Sequence, residues 1–536
     1  MEVDGPLLAD FLDEIRPTTT FEKVLLTDTS TQVLAGCYAH LRQKSVRYGI
    51  DPLARLAALR RDIRTASDRQ FREDLFGVFA SLRDLHTSIK PPPPLARSTA
   101  VLPFLVEACR HRRDVRYLVT KVADPALADV GLRPGVQVSH WNGVPIDLAV
   151  ARNALRTRGA NPAASLARGI ERLTIRPLAD TLAPDEHWVE VTFAADDNRR
   201  CRVIVPWRVL PIAADLSHGR DAFEQLFARP AEEPLDLAFD PAGRAAQVVK
   251  RELYSTPRAE EVPTELTEMF RPEIRRIRRR ERAYLRIWSF MHRDDEAVLN
   301  EFIRLLAIFD DRGCAGLVVD IRGNPGGVVV TAERLLQTLT DRPITPVRFA
   351  FAPTRLTQQL VANDPELAGW QESIQTAEGT GEPYSRALPI TPIEAANDSH
   401  RCTDMPAVLI IDATSYSAAD VFAAGWVDHA IGPIIGTTAN TGAGGANVWS
   451  YDQIRARLDP DGPVQLPTLQ DGSDLRVAVR RAVRTGAADG IPIEDIGIPI
   501  EAADIHQLTT RDVVHGNEDL LRFAVDRLNA VTAANP

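Results

Sequence analysis

Between residues 23 and 84 apolar positions recur three or four residues apart, in VLLTDTSTQVLAGCYAHLRQK, PLARLAALRRDIRTA and DRQFREDLFGVFASLRDL, a period that predicts amphipathic helices. Four consecutive prolines from Pro91 cannot continue a helix, so the last one stops near LRDLHTSIK and leaves His86 at or just past its end. From Val101 the pattern shortens to alternating or apolar segments, VLPFLVEAC and VRYLVTKVA. Turns at Gly135 and Gly143 then bracket VQVSHW, and strands resume at HWVEVTF and CRVIVPW. Residues 207–282 carry no clear period and predict an irregular connector or lid. From Ala283 strands and helices alternate: AYLRIWSF, EAVLNEFIRLLAIF, AGLVVDI, VVVTAERLLQTL, TPVRFAF, AVLIIDA, AADVFAAGWV, GPIIG. That rhythm predicts βαβ units. The expected fold class is therefore multidomain α/β, with a helical region (1–100), a small β-rich domain (101–206), a connector (207–282) and an α/β/α core (283–536) built on a mainly parallel sheet.

Composition narrows the classes of function. A chain of 536 residues with 44% hydrophobic and 25% charged residues has the balance of a globular multidomain protein. A net charge of -10 argues against nucleic acid as the general partner, and the arginines from Arg275 to Arg282, flanked by Glu273 and Glu281, predict a salt-bridged face. No apolar run approaches the roughly 20 residues needed to span a bilayer. The acidic start MEVDGPLLADFLDEI lacks the basic region of an export signal, so a cytoplasmic protein is expected. Five scattered cysteines without CxxC spacing fit a reducing compartment, and no HExxH or cysteine pattern calls for a metal or other cofactor.

Two strand ends carry candidate chemistry, because open α/β sheets place function at the carboxyl ends of their strands. Ser417, in DATSYSAAD, lies between an apolar strand and an alanine-rich helix. It is placed either to expose a nucleophilic hydroxyl or to cap the helix, a task for which Thr414 and Ser415 also compete. The loop Asp320–Gly327, DIRGNPGG, can turn backbone N–H groups into a cavity, yet it lacks the lysine of a phosphate loop. His86, in RDLHTS, and His429, in WVDHAIG, are equal candidates on sequence alone.

Together these segments resemble the tail-specific, or C-terminal processing, protease family, in the branch of the tricorn core protease and the chlamydial protease-like activity factor. The resemblance rests on LRDLHTS (82–88), GLRPGVQVSHWNGVPI (131–146), VVDIRGNPGG (318–327), SYSAADVFAAGWVDHAIGPIIG (415–436) and IPIEDIGIPI (491–500). It implies a crotonase-like core, a PDZ-like module at 101–206 and a nucleophile at Ser417. The position that carries the lysine in Ser-Lys members falls on Gly442, within ANTGAGG. The tricorn-like branch instead implies His86 as base and Glu494 as its carboxylate, with Asp495 as the alternative carboxylate. Leu85 stands where the tricorn protease has a serine.

The implied reaction is acyl transfer: Ser417 attacks a peptide carbonyl, His86 carries the proton to the leaving amine, and water resolves the acyl-enzyme. Backbone N–H groups of Ala418 and of Gly326 or Gly327 are expected to hold the oxyanion, with Asp320 and Asn324 organising the loop. A peptide or protein substrate follows, and a homodimer is compatible. Two alternatives stand beside this reading. One redirects the same scaffold to another acyl transfer or hydrolysis on a small or peptide-derived substrate; the other is a noncatalytic PDZ-type peptide-binding protein.

Overall fold

The computed structural model describes residues 5–195, 199–211, 260–292, 294–459, 461–469 and 472–534. Its N-terminal region is helical, with α1 (Leu8–Asp13), α2 (Thr20–Cys37), α3 (Leu41–Tyr48), α4 (Pro52–Asp62) and α5 (Asp68–Ser81). Local signals set the starts: Thr19 and Glu22 form a reciprocal capping box for α2, Asp51 caps α4 ahead of Pro52, and Ser67 caps α5. The periodic run from Val24 to Lys44 is split by extended Tyr38, so α3 begins afresh with Lys44 wholly buried.

After α5 come β1 (Ser88–Lys90) and β2 (Ser98–Val101), on either side of the prolines. The next region holds β3 (Phe104–His111), β4 (Asp114–Val122), β5 (Gln137–Trp141), β6 (Val144–Pro145), β7 (Ile175–Pro177), β8 (Trp188–Ala194), β9 (Arg200–Pro206) and β10 (Arg208–Pro211). Strands β3-β4-β5-β8-β9 form one antiparallel sheet with β6 on β5. It closes over its own core, which includes Val106, Val119, Val138, Val191 and Phe193.

The remaining strands are β11 (Glu260–Glu261), β12 (Phe270–Ile277), β13 (Arg280–Ile287), β14 (Leu317–Asp320), β15 (Arg348–Phe351), β16 (Leu388–Pro389), β17 (Ala407–Ile411), β18 (Ile434–Gly436), β19 (Ala446–Ser450) and β20 (Asp474–Val483). Here the expected mainly parallel, crotonase-like sheet is corrected, because the sheets are mostly antiparallel. Among the described strands only β13–β14, β14–β17 and β17–β18 pair in parallel, inside the sheet β11-β12-β13-β14-β17-β18. Strand β15, which the alternating rhythm would add to that sheet, joins a second one of order β1-β20-β15-β16, with β19 on β20, in which every pairing is antiparallel.

The physical reason is the unexpected ten-residue β20, whose apolar alternation is interrupted by arginines. These arginines are accommodated on aromatic faces and polar partners: the Arg480 guanidinium lies over Phe351, Trp370 and Trp449 and donates to Asn447 Oδ1. Arginines hide the hairpin β12–β13 in the same way. It turns at Arg278 and Arg279, both at positive φ, without the Asn-Gly signal of such turns, so 270–282 is paired strand rather than irregular connector. The expected salt-bridged face is present where Arg275 meets Glu273 and Arg278 meets Asp526. The connector call for residues 212–259 lies outside the described residues. All five cysteines are free, and among the described residues no helix is long and apolar enough to cross a membrane.

Candidate active site

Strand β17 is wholly buried and ends at Asp412, whose Oδ1 accepts from the N–H groups of Thr414 and Ser415 at 2.9 Å each and so tightens the turn. The same oxygen accepts from Gly323 N–H at 2.9 Å, which ties the turn to the loop after β14. Ser415 Oγ donates to the Ile321 carbonyl at 2.9 Å and is thereby engaged inside the fold. Ser417 sits at φ 61°, ψ -121°, backbone that an L-residue rarely adopts, at the N-cap of the helix Ala418–Asp428. A strained serine at a strand-to-helix bend is the geometry of a nucleophile elbow.

The loop 321–327 is fastened against this bend. Tyr416 N–H donates to the Asn324 carbonyl at 2.9 Å, while Asn324 Nδ2 donates to the Ile287 carbonyl at 3.1 Å. Below it, buried Asp320 accepts from Tyr284 Oη at 2.9 Å and from Arg322 Nη2 at 2.7 Å, and it also pairs with Arg286; the two arginines hold its carboxyl far below the usual range against the cost of burial. Gly326 has φ 100°, and a Cβ there would lie 2.5 Å from Ser417 Cβ, so only glycine lets the loop approach this closely. Its N–H donates to Asn324 Oδ1 at 2.9 Å and is therefore committed within the loop. Gly327 bridges Phe290 in parallel: Phe290 N–H donates to Gly326 O and Val328 N–H donates to Phe290 O. That alternation directs the Gly327 N–H away from Phe290. Ala418 occupies the first helical position, where the N–H has no partner inside its own helix.

Asp420 joins the elbow to the glycine-rich loop. Its Oδ2 accepts from Ser417 N–H and Gly444 N–H at 2.8 Å each, and its Oδ1 accepts from Ala443 N–H at 3.0 Å and from Thr441 Oγ1. Burial pushes its pKa up to about 6. The absence of lysine from this loop also has a steric cause. A Cβ on Gly442 would lie 2.8 Å from the Tyr416 ring, and one on Gly444 would lie 2.6 Å from it. The space that a lysine stem would need is filled by Tyr416.

Against that ring stands His86, centroid to centroid at 4.5 Å. His86 follows α5, and the Asp84 side chain folds the turn that presents it: Oδ1 accepts from His86 N–H at 2.8 Å and Oδ2 from Thr87 Oγ1 at 2.9 Å. Thr87 Oγ1 in turn accepts from Ala478 N–H at 3.1 Å, pinning the turn to β20. Glu494 approaches from the chain's far end, and side-chain atoms of Asp84, His86 and Glu494 all lie within 4.8 Å of one another. Glu494 Oε2 accepts from Gly445 N–H at 3.1 Å, while His86 Nδ1 is buried without a hydrogen-bond partner. Burial lowers His86 to about 3 and His40 to about 4, each partly opposed by Asp84, so both imidazoles are neutral at physiological pH.

Residues 281–486 match the model of peptidase family S41. Over that segment the chain is similar to the S41, tail-specific proteases. That match supports a serine-type peptidase activity. The structure of mature CPAF complexed with lactacystin is 18% identical, aligning 96% of this chain with 99% of that one at a TM-score of 0.67. A crystal structure of mature CPAF gives 17% identity, 96% and 98% coverage and the same TM-score of 0.67. These likenesses show a shared fold. A tricorn protease structure is 13% identical and aligns 96% of this chain with 37% of that one, at a TM-score of 0.37 that carries no fold argument. No curated protein sequence matches the chain.

The structure brings Ser417, Ala418, Gly326 and Gly327 together at the bend, and it sets His86, which lies against the Tyr416 ring, beside Glu494. Asp495 is turned away: its oxygens accept from Gln43 Nε2 at 2.8 Å, Tyr48 Oη at 2.9 Å and Lys44 Nζ at 2.5 Å. His429, the other histidine candidate, accepts from Thr345 N–H at 3.2 Å, at the far end of the helix that Ser417 starts. Asp84, His86 and Glu494 have the ligand atoms to hold a cation. However, both Asp84 oxygens already accept from their own turn, and Glu494 Oε1 accepts from Lys44 Nζ at 2.5 Å. Sequence reasoning missed Lys44 and Asp84. Lys44 carries no local signal in LRQKSVRY, whereas Asp84, two residues before His86, could have been found as the side chain of an Asx turn.

Proposed function

We propose that the protein is an S41-type peptidase that hydrolyses peptide bonds, as an endopeptidase or C-terminal processing enzyme, through Ser417, His86 and Glu494. The supporting observation is the convergence of His86 and Glu494, from opposite ends of the sequence, behind the residue that precedes a strained Ser417. In the first step the Ser417 oxygen bonds to the substrate carbonyl carbon while His86 takes the hydroxyl proton. The tetrahedral oxyanion is held by the N–H groups of Ala418 and Gly327, since Gly326 N–H is spent on Asn324. Collapse breaks the C–N bond, His86 returns the proton to the leaving amine, and water repeats the sequence to free Ser417. Glu494 stabilises the imidazolium through Nδ1, the nitrogen that lacks a partner in the resting site. The antiparallel β3–β9 sheet region, residues 101–206, is proposed as a PDZ-like module that receives an extended peptide chain.

The test is covalent labelling by a fluorophosphonate together with cleavage of an unbiased peptide library. Labelling at Ser417, lost in Ser417→Ala, with peptide turnover lost in His86→Ala, is the expected outcome. Labelling without peptide cleavage would move the substrate to another acyl class. Full activity in His86→Ala would remove the histidine from the mechanism.

A further inference from the structure

The strongest unassigned feature is a buried cation behind the site. Lys44 is wholly buried on α3, and its ammonium donates to Glu494 Oε1 and Asp495 Oδ1 at 2.5 Å each and to the Arg83 carbonyl at 3.2 Å. An unpaired ammonium or carboxylate in such a place is costly, so these groups depend on each other. They do not depend equally. Asp495 also receives Gln43 Nε2 and Tyr48 Oη, with Arg47 at 3.9 Å. Among the described residues Glu494 has one other donor, the neutral N–H of Gly445.

The groups acting on Glu494 and its neighbours come from every packed element: Tyr38 and His40 ahead of α3, Lys44 on it, Asp84 and His86 from the turn before β1, Tyr416 from the elbow, and Asp495 beside it. Among these, Lys44 is the cation in direct contact with Glu494, whereas Asp84 and Asp495 oppose its charge. Even with Lys44 in contact, burial leaves the Glu494 pKa well above the usual carboxylate range, and Lys44 is the main influence opposing that rise. Lys44 itself cannot serve as the proton acceptor for Ser417, because Glu494, Asp84 and Asp495 outweigh burial and hold its ammonium above the usual range.

We propose that Lys44 is a positioning residue, the internal countercharge that draws the buried Glu494 toward its ionised form and fixes its Oε1 on α3 so that the carboxylate can serve His86. The consequence for activity rests on the Ser417–His86–Glu494 reading, whereas the consequence for ionisation does not. Two measurements on the full chain separate them. Infrared difference spectra at neutral pH read the first: Lys44→Met minus Lys44→Met/Glu494→Gln shows a protonated carboxyl band, and wild type minus Glu494→Gln shows none. A protonated band already present in wild type, or absent from Lys44→Met, overturns the proposal whatever the enzyme cleaves.

Peptide turnover reads the second. Lys44→Met and Glu494→Gln each lower kcat/KM by about 10²-fold, and the double variant loses no more than either alone. Multiplied losses would show that Lys44 acts elsewhere and overturn the proposal. Lys44→Arg, which keeps the charge, restores part of the activity, an outcome that a purely space-filling role does not give. Where Lys44→Met alone does not fold, the double variant is the control. Recovery of folding when both charges are removed supports the pairing, and no recovery overturns it.

Discussion

The serine side and the base side of this site are built by different means. The serine side is local and made largely of backbone. A turn closed by Asp412, a loop held by Asn324 and a helix start gathered by Asp420 place Ser417 through main-chain N–H and carbonyl groups. The base side is assembled at long range from buried ionisable side chains: His86 after α5, Lys44 from α3, and Glu494 from near the other end of the chain. On the serine side one buried carboxylate that titrates near 6, Asp420, gathers backbone N–H groups, whereas on the base side several buried charges make geometry and protonation one problem. Tyr416 touches both, with His86 and with glycines 442 and 444 close to its ring.

The contrast is sharpest at Gly326. Gly326→Ala would set a methyl 2.5 Å from Ser417 Cβ at φ 100°. It should cost about 3 kcal/mol or more of stability and about 10³-fold in rate, read by denaturant unfolding and by fluorophosphonate labelling. Asp420→Asn comes next. Either orientation of the amide points an NH2 at two of the donors that the carboxylate now accepts, so a loss of about 2 kcal/mol and about 10²-fold in kcat/KM is expected. Unchanged turnover would show that the elbow holds its shape without this tie.

Gly442→Lys in a His86→Ala background tests whether the serine side can take its base locally. Restored peptide cleavage would break the comparison; none is expected, because Tyr416 occupies the path of the side chain. A smaller effect separates the sides by pH. His86 and His40, at about 3 and about 4, lie below their unfolded value near 6.5, so the unfolded chain takes up protons first as pH falls. Their contribution is complete above about 6.5 and is lost as pH drops toward 4 and 3, about 2 kcal/mol for each by pH 5. Asp420, raised to about 6 from 3.8, works in the opposite direction between those values. Comparing denaturation midpoints of His40→Phe and wild type at pH 8, 6.5 and 5 isolates one imidazole, and the variant should lose less stability on acidification. Smallest of all, Gln43→Ala should cost under about 1 kcal/mol in the same unfolding measurement, because Asp495 keeps Tyr48 and Lys44.

Legibility in the sequence followed the same division. Strand β17, the bend at Ser417, the loop from Asp320 and the helical N-terminal region were readable because each is written in contiguous residues with caps, glycines and a period. Strand β20 and the hairpin β12–β13 were not, because arginines stand at positions that a strand reading expects to be apolar, and what neutralises them lies on other elements. Reading alternation as a mainly parallel sheet failed for a related reason. The period shows that β15 is a strand, but its partner is β20, far along the chain.

The amino-acid sequence by itself determined the local devices: a serine where a buried strand meets a helix, glycines where the chain must pass close, and a histidine just beyond a helix end. Only the tertiary structure decided which charges share one buried volume. It set Lys44 on Glu494, turned Asp495 toward α3, and spent Gly326 N–H on Asn324. The cause is physical. Turns and caps are settled between neighbours in sequence, but the cost of burying a charge depends on every group around it, and those groups meet only when the chain has folded.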